Sequence, residues 1–160
     1  MKIEQSKPQP KMELEKEIQQ SKFKSQKHKA LLNIIFTASW LDCAQQRRFK
    51  EHGLTPQQYN VLRILRGQKG NAISVNGIQE RMLDRSSNAS RLIDKLLEKK
   101  LAKRIVCKED RRQMEIYITD KGLDLLNEMD EGVNAAEQNF GNITEEEAKQ
   151  LNHILDKLRD

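Results

Sequence analysis

Ser86-Ser87-Asn88-Ala89-Ser90-Arg91-Leu92-Ile93-Asp94-Lys95-Leu96-Leu97-Glu98-Lys99-Lys100 runs into Leu101-Ala102-Lys103-Arg104-Ile105-Val106-Cys107 and then Lys108-Glu109-Asp110-Arg111-Arg112. Ala89, Leu92, Ile93, Leu96 and Leu97 fall at i, i+3, i+4, i+7 and i+8, which is one apolar stripe of an α-helix. Ser87, Asn88, Arg91 and Lys95 lie on another side, and their chemistry suits phosphate oxygens and base edges. Because the helix begins with small hydroxyl and amide residues, its N-terminal end can approach a groove closely.

The flanking sequence supplies a frame for this helix. Leu54-Thr55-Pro56-Gln57-Gln58-Tyr59 opens a helix that runs to Gly67: Thr55 suits the N-cap, Pro56 the first helical position and Gln58 a capping box, with Leu54 stapling onto Tyr59. Ile73 suits a short strand. Ser74 then caps a brief helix from Val75 to Met82, with Val75, Ile78 and Met82 as its apolar side. Gly77 inside that helix costs about 1 kcal/mol relative to Ala, so packing must hold it. Leu83-Asp84-Arg85-Ser86 turns into the opening stretch, and two short helices joined by a tight turn form a helix-turn-helix.

Downstream, Leu101–Cys107 and Met114–Thr119 read as two strands. Met114, Ile116 and Ile118 alternate with Glu115 and Tyr117, as in a half-buried strand. The segment from Lys108 to Gln113 is the hairpin tip, and a hairpin placed after a helix-turn-helix is a wing. Thr119 caps a further helix with a stripe of Leu123, Leu126, Met129 and Val133, ended by Gly141-Asn142. Thr144 and Glu147 form a capping box for a last helix bearing Ala148, Leu151, Ile154, Leu155 and Leu158. Residues 1–11, with Pro8 and Pro10, read as a flexible arm. Residues 12 to about 51 read as helix without interruption, with a stripe of Leu31, Ile34, Ile35, Ala38 and Leu41 flanked by Phe36 and Trp40, ending at His52-Gly53.

Charge separates these segments. Residues 86–112 carry 9 Lys and Arg against 4 Asp and Glu, an excess equal to the +5 of the whole 160-residue chain, whereas residues 120–160 carry 4 against 11. The middle is built to face a polyanion and the C-terminal quarter to face away from it. No apolar run is long enough to span a bilayer, and the N-terminus lacks the apolar region of a signal peptide. Two cysteines, Cys43 and Cys107, are too few for a disulfide framework, so a reduced, cytoplasmic protein is expected. His28, His52 and His153 match no metal-ligand spacing and are assigned to the surface. No nucleophile elbow, P-loop, metal cluster or Gly-rich nucleotide fingerprint is present, so neither an enzyme nor a cofactor is expected.

Three fragments in order, Leu54-Thr55-Pro56-Gln57-Gln58-Tyr59-Asn60-Val61-Leu62, Leu92 to Arg104, and Asp110-Arg111-Arg112 with Ile118-Thr119-Asp120-Lys121-Gly122, resemble the MarR family of bacterial winged-helix transcription regulators. The resemblance implies a mainly α fold with a small β-hairpin wing: a winged helix-turn-helix over residues 54–119, between dimerisation helices at 12–53 and 120–160. It also implies a homodimer that docks on double-stranded DNA at a pseudo-palindromic operator. A small-molecule effector, where one acts, is expected between the dimerisation helices and the winged helix, with Phe36, Trp40 and Tyr59 as candidate lining. Two positions depart from the family pattern. Lys100 stands where members often have Gly, which sets an expected left-handed strain of about 1 kcal/mol, and Gly77 stands where many have a better helix former.

The candidate DNA contacts are Ser86, Ser87, Asn88, Ser90, Arg91 and Lys95 on the helix and Asp110, Arg111 and Arg112 at the wing. Ser86 or its neighbour caps the helix, whose free N–H groups favour a phosphate. Asn88 suits adenine and Arg91 guanine, whereas Lys95, a turn further on, suits a backbone phosphate. By resemblance Arg112 enters a narrow minor groove, aimed by Asp110, and Arg111 meets phosphate. Two other readings stand beside this one. A winged helix can serve protein–protein contact, which leaves the basic segment without a purpose, and Cys43 can serve as a redox-sensing thiol if it is accessible and acidic. The default for both cysteines is packing.

Overall fold

The computed structural model describes residues 12–107, 113–137 and 142–160, and within 131–137 the backbone alone. The chain divides into two compact units, residues 1–56 and 57–160.

In the first unit, α1 (Leu14–Glu17) is a single turn and α2 (Gln26–Glu51) is long. The uninterrupted helix expected from residue 12 is therefore broken between Glu17 and Gln26. Gln19 takes the left-handed conformation at φ 52° and the Gln20 N–H returns to the Glu15 carbonyl at 3.0 Å, which closes α1 in a Schellman-type turn without a glycine. The extended Ser25 then starts α2, its Oγ accepting the His28 N–H at 3.1 Å. At the far end Gly53 (φ 67°) closes α2 as expected, with the Leu54 N–H on the Phe49 carbonyl and both side chains buried. Leu31, Ile34, Ile35 and Trp40 are exposed, so the firmest apolar stripe of the sequence stays uncovered in the single chain.

The second unit holds the elements of the winged helix-turn-helix, α3 (Pro56–Gly67), β1 (Ile73–Ser74), α4 (Val75–Arg81), α5 (Ala89–Glu98), β2 (Ala102–Val106) and β3 (Met114–Ile118), followed by α6 (Asp120–Glu137) and α7 (Glu145–Lys157). Its core is Val61, Leu62 and Leu65 of α3, Ile78 of α4, Ile93 and Leu96 of α5, Ile116 of β3, and Leu126 and Met129 of α6, all nearly or completely removed from water. The sheet order is β1-β3-β2, antiparallel throughout, with Ile73 opposite Ile116 and Ala102 opposite Ile118. The two-residue β1 thus makes the hairpin a three-stranded sheet. Helix α4 ends one residue before Met82, which is extended and buried. A Cβ on Gly77 would lie 2.9 Å from Ile73 Cγ1, so close packing against β1 accounts for glycine there.

Arg66 and Asp130 form a two-bond pair (2.6 and 3.1 Å) that ties α3 to α6. Thr119 caps α6 by accepting the Gly122 N–H, and Thr144 and Glu147 complete the expected capping box of α7. Leu151, Ile154 and Leu158 leave α7 with a second uncovered apolar stripe. The break expected at Gly141 and Asn142 falls partly outside the described residues. Among the described residues no helix is long and apolar enough to cross a membrane.

Candidate nucleic-acid interface

Helix α5 sorts its residues by face. Ala89, Ile93 and Leu96 are buried, Leu92 and Leu97 half-buried, and Ser90, Arg91, Asp94, Lys95 and Glu98 point to solvent. The N-cap is Asn88, with its Oδ1 accepting the Arg91 N–H at 3.0 Å. Ser86 is not the cap. Gln79 of α4 accepts the Ala89 N–H at 3.0 Å through Oε1. Two N–H groups of the first turn, those of Ala89 and Arg91, are therefore already satisfied within the protein. The helix end is a weaker phosphate cradle than its sequence suggests. Asn88 also changes in character: with Oδ1 held in the cap, its Nδ2 is the atom free to hydrogen-bond a base.

The turn before α5 is fixed by side chains that the sequence reading passed over. Gln79 Nε2 donates to the carbonyls of Arg85 (3.1 Å) and Ser87 (2.9 Å), so one amide satisfies three main-chain groups. Asp84 gathers both serines. Its Oδ1 accepts the Ser86 N–H (3.0 Å) and Oγ–H (2.6 Å), and its Oδ2 accepts the Ser87 Oγ–H (2.7 Å). The hydrogen bonds from Ser86, then Ser87, hold the Asp84 carboxyl below the usual aspartate range, so it is charged at neutral pH. Asn60 Oδ1 of α3 accepts the Leu83 N–H at 3.0 Å and anchors the start of the turn. The available signal was an Asp two residues ahead of a Ser in a turn, the Asx pattern. Gln79 gave none, because its partners lie six to ten residues away.

The cations separate by engagement. Lys95 pairs with Glu98 (2.9 Å), Arg104 of β2 with Asp94 (2.7 Å), Lys99 Nζ donates to the buried Gln58 (3.3 Å), and Lys103 stands 5.5 Å from the Tyr117 ring centre. Arg85 and Arg91 are exposed, and their guanidinium groups have no partner among the described residues. Arg85 lines a shallow depression of about 240 Å³ with Gln79 and Glu80, and it joins the candidate contacts although the sequence reading omitted it. Asp110, Arg111 and Arg112, the wing-tip candidates, lie outside the described residues.

Lys100, after α5, stands at φ 60°, the left-handed conformation expected there. The Lys100 N–H bonds to the Leu97 carbonyl and the Leu101 N–H to the Leu96 carbonyl, both at 2.9 Å, a complete Schellman motif. The start of α6 pins this corner: Thr119 Oγ1 donates to the Lys100 carbonyl, Lys121 Nζ to the Lys99 carbonyl, and the Thr119 N–H to the Leu101 carbonyl.

Cys43 is exposed on α2, contrary to the packing role expected for it, and Cys107 is half-buried at the end of β2. Tyr59 is buried, Phe36 half-buried and Trp40 exposed. His28 and His52 are half-buried rather than fully on the surface, and His153 is exposed. No group of three His, Cys, Asp or Glu residues suited to a metal ion occurs among the described residues.

The MarR family model matches residues 52–113. The chain is 34% identical over 110 residues to the HTH-type transcriptional repressor MdtR of Bacillus subtilis, covering 68% of this chain and 70% of that protein. Among solved structures, a MarR transcription factor from Planctomyces limnophilus is similar at a TM-score of 0.66 and 29% identity, covering 84% of this chain and 98% of that one. The S. aureus MepR–DNA complex is similar in fold at a TM-score of 0.70 and 24% identity, covering 82% and 95%.

Proposed function

The chain belongs to the MarR family, and from that premise we propose how it acts as a DNA-binding transcription regulator. Two copies associate through the uncovered stripes of the segments 12–53 and 120–160. Each presents its winged helix-turn-helix, residues 54–119, to one half of a pseudo-palindromic operator. Helix α5 enters the major groove. Ser86, Ser87, Asn88, Ser90 and Arg91 face base edges, Arg85 takes a phosphate beside them, and the wing tip, with Asp110, Arg111 and Arg112, reaches the adjacent minor groove. Lys95 adds charge at a distance, since Glu98 already holds it. A small ligand modulates binding when it favours one spacing of the two recognition helices over another. In this reading the protein works in the cytoplasm, where its DNA partner is.

The observation that carries this reading is the outer face of α5, where Arg91 and Ser90 stand exposed with no side-chain partner among the described residues, while the neighbouring cations Lys95, Lys99 and Arg104 are engaged by Glu98, Gln58 and Asp94. Titration with duplex DNA across a salt series tests it. The logarithm of the affinity is expected to fall linearly with the logarithm of salt concentration. At fixed salt, Arg91→Ala is expected to weaken specific binding by about 1–3 kcal/mol and Lys95→Ala by well under 1 kcal/mol. Binding that ignores salt, or equal losses for the two variants, contradicts the assignment.

A further inference from the structure

Ser86 and Ser87 sit at the leading edge of the recognition helix, yet both direct their hydroxyl protons backward onto one carboxylate. Ser86 Oγ lies 2.6 Å from Asp84 Oδ1 and Ser87 Oγ 2.7 Å from Oδ2. An ionised carboxylate has no proton to give, so in both bonds the serine donates. What each hydroxyl then offers outward is its lone pairs alone. Asn88 is the reverse case: its Oδ1 accepts the Arg91 N–H, which leaves Nδ2, a donor, as its remaining polar atom. The edge thus presents acceptors at 86 and 87, then donors at 88 and 91.

We propose that Asp84 is a specificity-determining positioning residue: it fixes Ser86 and Ser87 as hydrogen-bond acceptors, so that at the strand position they face they select a base whose major-groove edge carries an amino group, cytosine or adenine, over guanine or thymine. Phosphate has nothing to donate to those lone pairs, and the Asp84 charge repels it, so the two serines do not serve as backbone anchors. The major-groove donors are cytosine N4 and adenine N6, and these are the partners that fit. Gln79 keeps the arrangement in register by holding the Arg85 and Ser87 carbonyls. This inference rests on the reading of α5 as the helix that enters the major groove.

Asp84→Asn is nearly isosteric and isolates the effect. The asparagine oxygen can stay with Ser86, where two donors converge, which turns Nδ2 toward Ser87 and frees the Ser87 hydroxyl proton to point outward. The probe is the duplex recovered by the wild-type protein from a random pool, together with its single base-pair variants. Expected is a change of about tenfold in discrimination at one base pair of each half-site, away from cytosine or adenine amino groups and toward base acceptors, with other positions unchanged. The same change is expected to vanish in a Ser87→Ala background. A uniform gain in affinity at every sequence, the signature of merely removing a negative charge, overturns the proposal, as does a shift that survives Ser87→Ala. Ser87→Ala alone leaves the Ser86 bonds to Asp84 in place and is expected to lose discrimination at that one base pair. Full retention there also overturns the proposal, whether or not Asp84→Asn folds. Failure of the wild-type protein to recover any sequence would instead strike at the DNA-binding reading itself.

Discussion

Lys100 shows how a single residue can hold strain at a corner that the fold needs. A left-handed Lys costs roughly 1 kcal/mol against Gly, and such a conformation persists only where its surroundings over-determine it. Here the two Schellman bonds and the three bonds from Thr119 and Lys121 do so. Lys100→Gly is expected to stabilise the protein by roughly 0.5–1 kcal/mol, read as a higher urea midpoint at unchanged slope. Gly122 faces the same corner without slack. A Cβ there would lie 2.4 Å from the Leu101 carbonyl oxygen and 2.8 Å from Ile118 Cγ1. Gly122→Ala is therefore expected to destabilise by about 1–3 kcal/mol in the same measurement, despite the better helix propensity of Ala. The conformation of Lys100 was expected only through the family resemblance, since members often have Gly at that position. The role of Asn88 was not legible. Capping and base reading use the same amide, and only the true start of the helix decides between them.

At the level of elements, the helix-turn-helix was legible because its helices are short, strongly periodic and separated by clear turn residues. Ser74, Thr119 and Thr144 each cap the helix assigned to them. The break between α1 and α2 was hidden, since Gln19, not Gly or Pro, makes the turn and is sustained by a main-chain bond that leaves no trace in composition. The pair joining α3 to α6 was hidden as well, because Arg66 and Asp130 are far apart in sequence. The Arg66 guanidinium holds the Asp130 carboxyl below its ordinary range, its hydrogen bonds outweighing the opposing effect of burial. A carboxylate lowered in the folded state contributes stability that is fully present above its unfolded pKa and is lost as pH falls through the folded one. Stability is thus expected to decline as pH drops below the ordinary aspartate range. Asp130→Asn is expected to make that decline shallower in acid-series thermal melts, and an unchanged slope contradicts a contribution from the pair.

For the whole molecule, the uncovered stripes carry the most weight. Leu31, Ile35, Ile154 and Leu158 are each more than half exposed in a single chain, a level of apolar exposure that marks an interaction surface. Their periodicity was legible in the sequence, but periodicity alone does not distinguish a stripe that packs within the chain from one that meets a second copy. Leu31→Glu with Ile35→Glu is expected to shift the protein from dimer to monomer in light scattering and to weaken operator binding steeply, since each monomer then holds one half-site alone. The segmental charge, basic over 86–112 and acidic over 120–160, fits the same arrangement, with the recognition surface toward DNA and the C-terminal region away from it. Selection of bound duplexes from a random pool by the intact wild-type protein tests dimeric operator recognition most directly. The expected result is an inverted repeat with half-sites about one helical turn, roughly 10 base pairs, apart or a multiple of it; recovery of no shared sequence, or of a single unpaired half-site, would contradict it.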